Sequence, residues 1–224
     1  MRDVRPVATV PRWVLGLLGT ALAAQVAWQA SRQSSAASRE LGPAPGAHSL
    51  RLASFAEAEV AARLAMVHVQ SSKEPDYGRL IGWLRSALEV DPRSQYPLFL
   101  AARVYAETGE AARSRAALEF VHQEFLRDPD RRWPWLAHAA LLAKHRLKDL
   151  PLARRYAQTL ERHVSSRAVP LWARQMEIFI LEDMNELEAA RIMLGGLIQS
   201  GAVEDPAELR FLKQRLEELE SRGR

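Results

Sequence analysis

An all-α chain, a membrane helix followed by a solenoid of paired helices, is the fold class this sequence predicts, on three observations. Residues 13–30 form an uncharged apolar run. From residue 54 onward the apolar spacing is helical, with no alternating stretch long enough for a strand. Within that region apolar positions recur at a fixed step of 37 residues. The 224 residues are 48% hydrophobic and 26% charged, which suits a folded core and excludes disorder over most of the length. The absence of Cys excludes a disulfide framework, a thiolate metal site and a cysteine nucleophile. Lys plus Arg total 31 against 27 Asp plus Glu. The signs alternate locally, as in Arg127, Asp128, Asp130, Arg131 and Arg132, so no single-sign face exists for a phosphate backbone and no nucleic-acid partner is expected.

Residues 1–12 are a basic segment carrying Arg2, Arg5 and Arg12. The run from Trp13 to Ala30, WVLGLLGTALAAQVAWQA, holds eighteen uncharged residues. As a helix it spans about 27 Å, enough for a thin hydrocarbon core, with Trp13 and Trp28 where interfacial aromatics belong. More arginine before the run than close behind it favours a cytoplasmic N-terminus and export of the rest. A cleaved secretory signal competes with this reading, because Ala21-Leu22-Ala23 resembles a small-x-small cleavage site. Both readings export the remainder. Apolar character continues through Val26, Ala27 and Trp28, past that site, and favours an uncleaved signal anchor. The expected location is a bacterial inner membrane, single-pass, with the C-terminal domain in the periplasm. Residues 31–53, rich in Ser, Ala, Gly and Pro, read as a flexible tether, residues 54–220 as the repeat domain and 221–224 as a tail.

Several positions share the 37-residue register: Ala116, Ala153 and Ala190; Leu98, Trp135 and Trp172; Tyr105, Leu142 and Phe179; Ala65, Ala102 and Ala139, with Met176 fourth. Trp83, Phe120 and Leu194 hold another, with Ala157 between them. Each unit reads as two helices: Pro97 to Glu107 and Ala111 to Arg127, then two within Trp133 to Val164, then two within Pro170 to Ser200. Ser54 to Gln70 and Tyr77 to Val90 form a degenerate first hairpin, opened by a capping box of Ser54 and Glu57. Asp205, Pro206 and Glu208 open a last helix whose stripe of Leu209, Leu212, Leu216 and Leu219 suits a terminal cap.

On these residues the chain from about Ser54 to Glu220 resembles the tetratricopeptide (TPR) repeat superfamily. Trp135 and Trp172 stand at the bulky early position of helix A, Ala102 and Ala139 at the small one, and Tyr105 and Phe179 at the later aromatic one. Ala116, Ala153 and Ala190 match the helix B alanine. The unit is longer than the family's usual length of about 34 residues, and the family's glycine after helix A survives only as Gly109. The resemblance implies a right-handed solenoid of helical hairpins whose concave groove, lined by helix A, holds a protein or peptide. By that mapping Tyr96, Phe99, Arg103, Trp133, Leu136, Lys144 and Glu177 are the candidate partner-binding residues. Trp133 is the expected exposed anchor, whereas Trp135 and Trp172 belong to a buried register.

Other side chains carry less chemistry. His138 and His145 lie about 10 Å apart along a helix, with no accompanying HExxH pattern, so no metal is expected. Gly195-Gly196 follows no strand and reads as packing rather than phosphate binding. No nucleophile, base and orienting acid fall into a recognisable constellation, so neither catalysis nor a cofactor is expected. The sequence therefore predicts a membrane-anchored scaffold that binds a protein or peptide in the cell envelope. The alternative is a periplasmic enzyme or small-molecule binder released after signal cleavage.

Overall fold

The computed structural model describes residues 12–34, 41–54, 57–72 and 75–222. Among them are twelve α-helices, one π-helical segment and no strand. The helices are α1 (Arg12–Ser34), α2 (Ala47–Ser54), α3 (Ala58–Gln70) and α4 (Tyr77–Val90). Next come α5 (Tyr96–Phe99), running directly into π1 (Leu100–Tyr105), then α6 (Ala111–Phe125), α7 (Pro129–His145) and α8 (Leu150–His163). The last are α9 (Leu171–Arg174), α10 (Met176–Asp183), α11 (Leu187–Gln199) and α12 (Pro206–Arg222). From α3 onward the principal packing partners are neighbours in the chain: α3 with α4, π1 with α6, α7 with α8, α10 with α11, and α11 with α12. This is the helical-hairpin array that the periodicity predicts. We call the first helix of each pair A and the second B.

The buried registers explain the packing. Ala65, Ala102, Ala139 and Met176 are all buried on A helices, and Trp83, Phe120, Ala157 and Leu194 are all buried on B helices. Small residues let helix backbones cross closely while large ones fill the space beside them. Side-chain links join residues about one unit apart. Arg85 donates to Gln123 at 3.0 Å, His122 Nε2 lies 3.2 Å from Thr159 Oγ1, and Asp130 accepts from Ser165 N–H at 2.8 Å. Three buried carboxylates are each held by an arginine from a neighbouring helix: Glu124 by Arg132 at 3.0 Å, Glu177 by Arg154 at 3.1 Å, and Glu182 by Arg215. A buried carboxylate left unpaired is strongly destabilising, so these arginines tie α6 to α7, α8 to α10 and α10 to α12.

Turns follow the same period. Lys148 and Asn185, 37 positions apart, hold left-handed backbone with φ of 54° and 61° between an A and a B helix. At the second, Glu186 N–H reaches Leu181 C=O at 2.9 Å and Asn185 N–H reaches Glu182 C=O at 3.0 Å. That pair of bonds closes the end of α10 and satisfies its carbonyls. Glycine is the usual occupant of such positions, and here Lys and Asn stand in its place, inside the turns that the sequence places at Arg146 to Pro151 and near Asp183 to Glu186.

The structure differs from the sequence reading at several points. The expected tether of residues 31–53 is not free beyond residue 40: Leu41 is buried, and α2 packs on α3 and α4. Trp83 Nε1–H donates to Gly42 C=O at 2.9 Å, and an Arg79 guanidinium N–H to Leu41 C=O at 2.9 Å. Segment 41–54 thus covers the apolar end of the first hairpin, as terminal repeats must. Ser54 ends α2 instead of capping α3, and Glu57, the residue before α3, makes no side-chain cap bond. Helix α7 starts at Pro129, four residues before the expected Trp133, because a proline in the first turn gives up no hydrogen bond. The A helix of the fourth pair is interrupted at Gln175 between α9 and α10. The C-terminal helix matches its expectation: Pro206 is its first residue, Asp205 accepts from Ala207 N–H at 2.9 Å, and Leu212 and Leu219 are buried.

Residues 13–30 lie within α1, whose Leu17, Leu18, Leu22 and Val26 are exposed. Among the described residues no helix is long and apolar enough to cross a membrane. The basic segment before Arg12 and the side chains of Trp13, Trp28 and Ser54 lie outside the described residues.

Candidate partner-binding surface

Neighbouring A helices bring aromatic side chains into a row. Tyr96 and Phe99, the first and last residues of α5, stack with centroids 5.9 Å apart, and Phe99 meets Trp135 of α7 edge-on at 6.0 Å. Trp133, also on α7, meets Trp172 of α9 edge-on at 5.7 Å. Hydrogen bonds fix the row: Gln70 Nε2 donates to the Tyr96 hydroxyl at 2.7 Å and Trp135 Nε1 to Gln95 Oε1 at 2.6 Å. Aromatic rings combine large contact area with few rotatable bonds, so a fixed and partly exposed row is well suited to binding. A hollow of ≈ 970 Å³ opens at the Tyr96 end, between α3 and α5, lined among others by Arg63, Val67, Gln70 and Tyr96.

A second exposed feature follows the repeat register. Val67, Val104 and Leu141, at steps of 37 residues on α3, π1 and α7, are 65%, 47% and 41% exposed. The next member, Ile178, is buried in the C-terminal core. Three exposed aliphatics recur at one position of successive A helices, where an A helix facing only solvent would carry polar residues.

The candidate residues divide. Tyr96 and Phe99 come together with Trp135, whereas Trp133 pairs with Trp172 instead and is half-buried against the core. Trp172, expected in a buried register, is 50% exposed, so the roles of the two tryptophans are exchanged. The reason lies in the interruption at Gln175, which makes α9 a single short turn outside the continuous A-helix packing. Arg103 is exposed and 3.9 Å from Glu107, and Lys144 is committed to an ion pair with Asp183. Leu136 does not line the surface: it is fully buried. Glu177 does not either: Arg154 and Gln158 of α8 bind its carboxylate, at 3.1 and 2.6 Å. Both belong to the buried positions of their helices, and Glu177 is turned toward α8 of the preceding pair. Val104 and Leu141 escape a reading built on residue type; the step of 37 positions from Val67 was the available signal.

Titratable groups near this surface add electrostatic detail. Burial, seconded by the Arg103 charge, pushes His138 below the ordinary imidazole value, while Glu107 opposes the shift. His138 thus stays neutral at physiological pH and adds no charge to the A face. On the B helices, Glu119, His122 and Thr159 line up in the order of a hydrolytic triad, with His122 Nδ1 3.5 Å from Glu119 and Nε2 3.2 Å from Thr159. The Thr159 hydroxyl, however, donates its proton to Arg155 C=O at 2.8 Å. It therefore has none to give the imidazole, and the row is a structural link between α6 and α8. Comparison of the chain with protein-family profiles, curated proteins and solved structures found no match.

Proposed function

We propose that the chain is a membrane-anchored, TPR-like scaffold of the bacterial cell envelope that binds an extended segment of a partner protein along its A helices and carries out no catalysis. The observation that carries this reading is the exposed register of Val104 and Leu141, on the same run of A helices that carries the aromatic rings. Packed helices lie about 8–10 Å apart, so successive anchors repeat at that distance. A polyproline-II segment returns to the same face every three residues, or about 9.3 Å, and so presents one side chain to each A helix in turn. Tyr, Phe and Trp are the side chains on which such segments dock.

The anchor rests on the uncharged run from Trp13 to Ala30 and the arginines before it, and export of the domain follows from that charge bias. Exposure of Leu17, Leu18, Leu22 and Val26 on α1 is consistent with a lipid environment.

Photocrosslinkers placed at Val104 and at Leu141 in cells should capture the same partner, and one at Arg113, exposed on α6, should not. Val104→Glu with Leu141→Glu should abolish capture from Tyr96 while leaving the helical circular dichroism unchanged. Capture that survives both substitutions would refute the A-face reading. Release of the full chain from membranes by alkaline carbonate would refute the anchor.

A further inference from the structure

Residues 41–54 are docked on the first hairpin, so only residues 35–40 separate Ser34, the end of α1, from buried Leu41. That stretch spans about 25 Å at most when fully extended. Because α2, α3 and α4 pack on one another, the outer face of α3 lies within one or two helix diameters of that junction. This face is apolar. Val60, Leu64 and Val67 follow the i, i+4, i+7 spacing and are 44%, 57% and 65% exposed, while the opposite side of α3 buries Ala61, Ala62, Ala65, Met66 and Val69. Leu52 of the adjoining α2 is exposed as well. Arg63, beside the ridge, is paired with Glu59 on the same helix, which leaves that flank locally neutral.

We propose that this ridge is a second membrane contact: α3 lies along the bilayer interface with Leu52, Val60, Leu64 and Val67 among the lipid headgroups. The proposal rests on the anchoring of α1. The short connection is what selects lipid as the occupant, since a domain held that near the membrane brings its closest apolar face against it. Val67 then belongs to the membrane contact, and Val104 and Leu141 remain for the partner. Since the Glu59–Arg63 pair adds no net charge beside the ridge, the contact is apolar in origin and does not require anionic lipid.

The absence of native cysteine allows a direct test with the full chain in vesicles. Single-cysteine variants Leu64→Cys and Val67→Cys carry an environment-sensitive fluorophore. Leu18→Cys reports insertion of α1, and Ile192→Cys, exposed on α11, serves as the distal control. Nitroxide lipids should quench the labels at 64 and 67 about twofold or more above the label at 192, in phosphatidylcholine alone and with phosphatidylglycerol added. Quenching at 18 with 64 and 67 no different from 192 overturns the α3 contact and leaves the anchor standing. Quenching at 64 and 67 only with phosphatidylglycerol overturns its apolar origin. No quenching at 18 overturns the anchor and this inference with it. If 64 and 67 are shielded from aqueous iodide but not quenched by nitroxide lipids, the ridge is covered by protein and the lipid assignment fails.

Discussion

Ala153 and Ala190 have no exposed surface, whereas Ala116 in the same register is half-buried. Leucine at either of the first two must displace the facing helix, at a cost of about 1–3 kcal/mol, while Ala116→Leu should cost less than about 1 kcal/mol. Chemical denaturation of the three variants checks the order, and equal losses would refute the register. Asp130 accepts N–H bonds from Ser166 and Ser165 and an O–H bond from Ser165, and these hold its carboxyl below the ordinary value of 3.8. A carboxylate with a lowered folded-state pKa stabilises the fold above its unfolded value and loses that contribution as pH falls through the folded one. Asp149 behaves alike, held down chiefly by its bond from Arg115. Asp130→Asn should therefore lower Tm at pH 7 and flatten the fall in stability below pH 3.8, as read by thermal melts across acid pH. Residue type and spacing made the alanine register legible. They did not distinguish Trp133 from Trp172, because exposure there depends on where an A helix is interrupted, and Gln175 carries no helix-breaking signature.

At the scale of elements, the hairpins were legible because period and turn chemistry agreed, and the docked segment was not. LGPAPG, residues 41–46, has the composition of a linker, yet its carbonyls meet donors presented by Arg79 and Trp83 some 38 and 41 residues later. Composition cannot register a bond of that kind, since the backbone of any residue supplies the acceptor. Trp83→Phe keeps most of the buried ring and removes the donor to Gly42. It should cost about 0.5–1.5 kcal/mol and speed amide exchange in residues 41–54 more than in α7 or α8. Uniform acceleration along the chain would mean that the segment is not held by this bond. The π1 segment was equally hidden. Its Ala106 N–H bonds to Ala101 C=O at 2.8 Å, one residue beyond the α-helical partner, and nothing in LAARVY announces that.

For the molecule as a whole, the core divides into a large cluster reaching from Leu41 to Ile180 and a smaller one built on Ile178, Leu181, Ala190, Leu194, Val203, Leu212 and Leu219. Helix α12 closes the second. Ending the chain before Pro206 should expose α11 and melt α10 and α11 first, giving a two-step thermal unfolding in place of a single transition. A single sharp transition with unchanged Tm would show that α12 is dispensable. Array and register were readable from the 37-residue step, since one unit repeated fixes its neighbours, and the terminal cap from Asp205, Pro206 and the leucine stripe that follows them. The links between units carry one more consequence. Arg85 with Gln123, His122 with Thr159 and Asp130 with Ser165 all join residues about one period apart. Among the described residues these bonds reach only the adjacent unit, so folding there closes short loops and ordering should be fast. It can also be vectorial: each hairpin emerging from the ribosome finds its only required partner already in place, and the first pair can order before the last has been made.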